Sequence, residues 1–238
     1  MSATALKVLI VLTSHAQMGS TAEPTGFWLE EFTTPYYAFV DAGAEVTLAS
    51  IRGGAAPIDP RSLQGDATRP ASVQRYLQDD ALRAALTQTT PVERTAAEAY
   101  DIVFLPGGHG TMWDLPQSEG LARLVAQTFE RGDVVAAVCH GPAGLVTART
   151  SDGKPLVQGR RVAGFTNGEE RAVGLADVVP FLLESKLREL GGRYESGPDF
   201  QPFAIADGNL VTGQNPTSST KAAELALEAA RARQQTAR

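Results

Sequence analysis

The chain has 238 residues, of which 43% are hydrophobic and 20% charged, and a formal net charge of −6. That length suits one large domain with a buried core and leaves little room for a second full-sized domain. The composition excludes a disordered or fibrous chain. The negative balance, with no concentrated Lys/Arg run, argues against nucleic acid or an anionic membrane as partner, which leaves a small molecule as the expected ligand.

Residues 8–12, Val-Leu-Ile-Val-Leu, read as a buried parallel strand. The residues before them carry no small-residue cleavage pattern, and no run approaches the roughly 20 apolar residues of a membrane span, so the expectation is a cytoplasmic protein. Helical spacing over residues 32–42 precedes a strand at 45–49. Residues 52–95 break the rhythm with Pro57, Pro60, Pro70 and Pro91 around a helix at 73–86. This segment reads as an insertion that covers one flank or helps form a dimer contact.

A second buried strand is expected at 102–105 and a third at 134–138. Between them, residues 120–131 place Leu121, Leu124, Val125 and Phe129 on one helical face before Gly132 stops the helix. Farther on, residues 161–166 read as a strand and the stretch from Glu169 to Leu190 as one helix. Two short strands at 203–206 and 210–212 flank the turn pair Asp207-Gly208, and a final helix starts at Ser218. The alternation predicts an α/β fold, a doubly wound and mostly parallel sheet with helices on both faces and its ligand site at the carboxyl ends of the strands.

The chain has a single cysteine, so no internal disulfide is available. Cys139 follows a strand of small residues in Val138-Cys139-His140-Gly141-Pro142 and precedes a helix start with proline in its first turn. A thiol at a helix N-terminus is expected to have a lowered pKa and to be partly thiolate near neutral pH. The three histidines, His15, His109 and His140, each follow a predicted strand and are expected around one pocket, although His15 serves equally well as a strand cap. In Pro106-Gly107-Gly108-His109-Gly110 the glycines permit close backbone approach and offer amides for an oxyanion. Two acidic pairs, Glu30-Glu31 and Glu169-Glu170, are either solvated helix starts or proton carriers. Glu31, beside Trp28, Phe27 and Phe32, is the one that burial would tune for proton transfer.

Taken together, Pro106 to Asp114, Val138 to Pro142, Thr25-Gly26 to Pro35, and Phe165 to Gly174 resemble the ThiJ/PfpI superfamily, also described as class I glutamine amidotransferase-like, with a flavodoxin-like fold. The segment Pro57-Ile58-Asp59-Pro60-Arg61-Ser62 and the closing Thr212-Gly213-Gln214-Asn215-Pro216 resemble its heat-shock chaperone and glutathione-independent glyoxalase branch. The resemblance implies Cys139 as nucleophile, His140 as its partner, Glu170 ahead of Glu169 as the third member, and Glu31 rather than Glu30 as a second acid. It implies oxyanion amides at Gly108 and His140, with His109 in the same substrate-binding loop. The activity it implies is conversion of the 2-oxoaldehyde methylglyoxal to D-lactate by a homodimer, without metal or organic cofactor. Protein deglycation or cysteine hydrolysis by the same residues, and a holdase or redox-sensing role, are the alternatives. Glutamine amidotransfer is disfavoured because no histidine follows His140.

Overall fold

The computed structural model describes residues 5–236. A seven-stranded sheet runs in the order β3-β2-β1-β4-β5-β9-β8. Its strands are β1 (Lys7–Leu12), β2 (Glu45–Ser50), β3 (Thr90–Pro91), β4 (Ile102–Leu105), β5 (Val134–Val138), β8 (Ala204–Asp207) and β9 (Leu210–Gly213). All neighbours pair parallel except β8 with β9, which form an antiparallel hairpin across Asp207 and Leu210.

The period-2 alternation of the strands sorts the core onto two faces. Leu9, Val11, Val103, Leu105, Val135 and Ala137 pack with α5 (Glu119–Glu130) and α7 (Leu183–Glu189). Val8, Ile10, Ile102, Phe104, Ala136 and Val138 pack on the other side with α1 (Leu29–Asp41), α2 (Ala71–Leu77) and α8 (Ser219–Thr236). Strands buried on both faces read in sequence as continuous apolar runs, which is why β1, β4 and β5 were legible there.

Three expectations are corrected. The insertion helix is two helices, α2 and α3 (Asp80–Ala85), because the Asp79 side chain accepts the Leu82 N–H and starts a new helix. Residues 161–166 contribute only β6 (Arg161–Val162), which pairs with β7 (Arg193–Tyr194) in a separate two-stranded sheet. Beyond Val162 the backbone is drawn to the main sheet's edge: Ala163 N–H donates to Thr212 Oγ1 and Phe165 N–H to the Cys139 carbonyl. The helix expected from Glu169 to Leu190 is broken into α6 (Asn167–Ala172) and α7, with Gly174 at φ +75° ending the first and Pro180 in the connection. The insertion also supplies β3 at the sheet edge, and α4 (Thr111–Asp114) follows the glycine loop after β4.

Candidate functional site

Cys139 leaves β5 with φ +60°, a left-handed conformation that costs a non-glycine residue strain. Hydrogen bonds on both sides hold it there: Cys139 N–H donates to the Gly213 carbonyl, and its own carbonyl accepts from Phe165. Gly141 is needed at once afterwards, since a Cβ there would stand 2.1 Å from the Leu105 carbonyl oxygen. The turn that follows is a short 3-10 stretch, Gly141–Leu145, rather than a long α-helix.

The expected thiol acidity is corrected as well. The Cys139 thiol is pushed well above its ordinary pKa, first by burial and then by the carboxyl of Glu31 lying against it. Glu31 sits in the first turn of α1, fully buried, with Oε2 accepting the Gly107 N–H at 2.8 Å. Among the described residues its Oε1 meets no donor. Burial raises this carboxyl well above the carboxylate range, while the Cys139 thiol and the Gly107 N–H, as donors to its charged form, act in the opposite direction. Gly107 permits the contact, because a Cβ would fall 2.6 Å from both Glu31 Oε2 and the His140 nitrogen. Glu30 is only partly buried.

On its other side the sulfur lies 3.3 Å from His140 Nδ1. His140 Nε2 is 2.7 Å from Glu170 Oε2, and Glu170 Oε1 is 2.8 Å from His109 Nε2. Arg61 Nη2 donates to His109 Nδ1 at 3.2 Å. A guanidinium only donates, so His109 Nδ1 is an acceptor and its proton sits on Nε2, directed at Glu170. Burial, seconded by the neighbouring His140 charge, lowers the His109 pKa to about 4. Burial pushes the Glu170 carboxyl up, but His140 and the two imidazole hydrogen bonds outweigh it and hold Glu170 well below the carboxylate range.

His109, His140 and Glu170 offer three metal-ligand atoms within 4.8 Å of one another. Their N···O separations of 2.7 and 2.8 Å are those of shared protons. Ligand atoms around a tetrahedral zinc with bonds of about 2 Å would stand roughly 3.3 Å apart, so this cluster is built as a hydrogen-bond chain.

Cys139 opens onto a cavity of about 340 Å³ walled by Trp28, Phe165, Val173 and Phe200. Gly108, at φ +102°, packs so tightly on the Phe27–Trp28 backbone that a Cβ would meet the Trp28 nitrogen at 2.4 Å. Among the described residues the Gly108 and His140 amides donate to no protein acceptor.

Of the expected site residues, Cys139, His140, Glu31, Gly108 and His109 line this cavity, and Glu170 is joined to it through both histidines. His15 does not. It stacks on Trp113 at a centroid distance of 5.2 Å beside Arg52 and Asp114, outside the cysteine cavity. Glu169 turns away from His140. It closes a capping box with Thr166, and its Oε1 accepts from Phe200 N–H, Gln214 Nε2 and Asn215 Nδ2. Arg61, Trp28 and Phe200 were not foreseen in the site, because no local spacing relates positions 28, 61 and 200 to 139.

A parallel α/β sheet with a cysteine on a strained turn at its carboxyl edge, joined to a histidine and a carboxylate, defines a class of cysteine-centred α/β proteins. Within it, the chain belongs to the DJ-1/PfpI family, whose profile matches residues 23–229. It is 32% identical to the glutathione-independent glyoxalase HSP31 of Saccharomyces cerevisiae, over 94% of this chain and 97% of that one. The crystal structure of glyoxalase III from Candida albicans superposes with a TM-score of 0.87 at 30% identity, covering 94% of this chain and 97% of that one. The Rapid Encystment Protein 24 KDa of Francisella tularensis superposes with a TM-score of 0.90 at 37% identity, covering 94% and 99%.

Proposed function

We propose that this protein is a glutathione-independent glyoxalase that converts methylglyoxal and water to D-lactate, with Cys139 as nucleophile. The observation that carries the reading is the contact between the Glu31 carboxyl and the Cys139 thiol in a small apolar-walled cavity. Thiol hydrolysis needs a nucleophile and a base; isomerising a 2-oxoaldehyde also needs a proton carrier between adjacent carbons. A buried carboxyl with raised pKa is suited to that task. The glyoxalase names of the relatives above support the same substrate class.

The steps follow from the positions of the groups. Cys139 gives its proton to His140 Nδ1 as the sulfur adds to the aldehyde carbon, and the resulting oxyanion takes the Gly108 and His140 amides. Glu170, held anionic, stabilises the imidazolium through Nε2. His140 then protonates that oxygen, giving a hemithioacetal. Glu31 as carboxylate removes the proton from the first carbon, forming an enediolate whose charge lies on the second oxygen, and returns it to the second carbon. The hydroxyl proton moves from the first oxygen to the second, leaving a lactoyl thioester on Cys139. Water, with His140 as base, cleaves the thioester and restores the thiol. The net change is one methylglyoxal and one water to one lactate and one proton.

A single thiol that must stay reduced supports a cytoplasmic location. A homodimer, implied by the resemblance, completes the reading and is checked by sedimentation. The functional reading is tested by incubating purified protein with methylglyoxal in the absence of glutathione. Lactate should form, and the Glu31→Gln variant should form at least about 100-fold less. Equal rates for the two proteins would remove the proton-carrier role and the reading with it.

A further inference from the structure

Arg61 stands in the segment that departs from the α/β rhythm, yet it reaches the site. Asp59, wholly buried, accepts Arg61 Nε at 3.0 Å on Oδ1 and Arg61 Nη2 at 2.6 Å on Oδ2, and Thr25 Oγ1 donates to Oδ2 at 2.9 Å. Two backbone hydrogen bonds tie this segment to the strand-like entry into α1: Phe27 N–H donates to the Pro57 carbonyl, and Asp59 N–H to the Phe27 carbonyl, both at 2.9 Å. The bidentate fork leaves the guanidinium little rotational freedom. Its Nη2 is shared between Asp59 and His109 Nδ1.

The consequence is a chain of five side chains: Arg61, His109, Glu170, His140 and Cys139. With the other tautomer, His109 would present N–H to a guanidinium and a bare nitrogen to a carboxylate, two repulsive contacts in place of two hydrogen bonds. Glu170 would lose a donor on Oε1, and nothing else among the described residues donates to that oxygen. A carboxylate held at both oxygens cannot swing, and the His140 ring orientation depends on it.

We propose that Arg61 is a positioning residue of the cysteine site: clamped by Asp59, it locks His109 as the Nε2–H tautomer and thereby pins Glu170, and through it His140, against Cys139. The inference rests on the reading of Cys139 as nucleophile for its effect on rate, and on hydrogen-bond geometry alone for its effect on His109. It gives the 52–95 insertion a role in the site in addition to its place at the sheet edge.

The test uses the full chain with 15N-labelled histidine and the variants Arg61→Met, Arg61→Lys and His109→Gln. Wild type should show His109 as a neutral ring protonated at Nε2. Arg61→Met should lose that fixed signature, retain a cooperative thermal transition, and lower both kcat for lactate formation and the rate of Cys139 alkylation by iodoacetamide, on the order of 10-fold or more. Arg61→Lys, which keeps the charge and one donor, should recover part of the loss. Adding His109→Gln to Arg61→Met should cost little further, because both act through one chain. An unchanged His109 signature in Arg61→Met overturns the proposal, and so does an altered signature with alkylation at the wild-type rate. A wild-type protein without lactate formation would sink the glyoxalase reading alone, since the histidine signature and the alkylation rate decide this one independently.

Discussion

The carboxyl of Glu31 and the thiol of Cys139 lie against each other: burial raises both pKa values, the Glu31 charge raises that of the thiol further, and the thiol as donor offsets part of the rise at Glu31. The pair therefore behaves as one titrating unit that retains a proton at neutral pH. Replacing Glu31 by Gln removes the charge that acts on the sulfur while burial persists. The Cys139 thiol pKa, read from the pH dependence of iodoacetamide alkylation, should fall in Glu31→Gln relative to wild type even as lactate formation collapses. A pKa that rises or stays put would show that the two groups do not share charge.

The same carboxyl has a signature in stability. Its folded-state pKa lies above the unfolded value of about 4.3, so the stability it contributes is fully present below pH 4.3 and is lost as pH rises through the folded-state value. Glu31→Gln should therefore match wild type near pH 4.5 and melt at a higher temperature at pH 8, by about 2–4 °C for each kcal/mol relieved. Thermal melts at the two pH values check it, and a variant that is destabilised at pH 8 would contradict it.

His109 works with the opposite slope. Its pKa is lowered from 6.5 to about 4, so its contribution is present above pH 6.5 and lost as pH falls toward 4. Denaturant titrations should show wild-type stability dropping across that window, by at most about 1.4 kcal/mol per pH unit for this one proton. His109→Gln should flatten the slope.

Neighbouring acids should separate cleanly by effect. Glu169→Ala strips acceptors from the Phe200, Gln214 and Asn215 donors and should destabilise by about 2 kcal/mol or more, measured by urea denaturation. Glu170→Gln keeps the shape but loses the anion that stabilises the His140 imidazolium. It should cost about 100-fold in lactate formation with a smaller loss of stability. The reverse pattern would exchange the roles assigned to the two residues.

How far the sequence foretold the molecule depended on the range of the interaction. β1, β4 and β5 announce themselves because burial on both faces leaves unbroken apolar runs, and the Cys139 turn because a strand, a strained residue and Gly141-Pro142 are contiguous. The resemblance puts Glu170 ahead of Glu169, and the physical reason is the capping box at Thr166, which turns one carboxyl inward to the backbone and leaves the next on the histidine side. Arg61 lies within a family-like segment but shows no role in the sequence, since its link to His109 exists only after Asp59 and Phe27 bring distant chain segments together. The thiol's acidity was misjudged because the helix-start pattern is local, whereas the burial and the Glu31 carboxyl that dominate it are tertiary.

The most direct test of the account is chiral analysis of the product from methylglyoxal with purified wild type and Cys139→Ala. The account predicts D-lactate from wild type without glutathione or added metal and none above background from Cys139→Ala. Comparable D-lactate from Cys139→Ala, or no lactate from a wild-type protein that is folded and carries a reduced thiol, would contradict it.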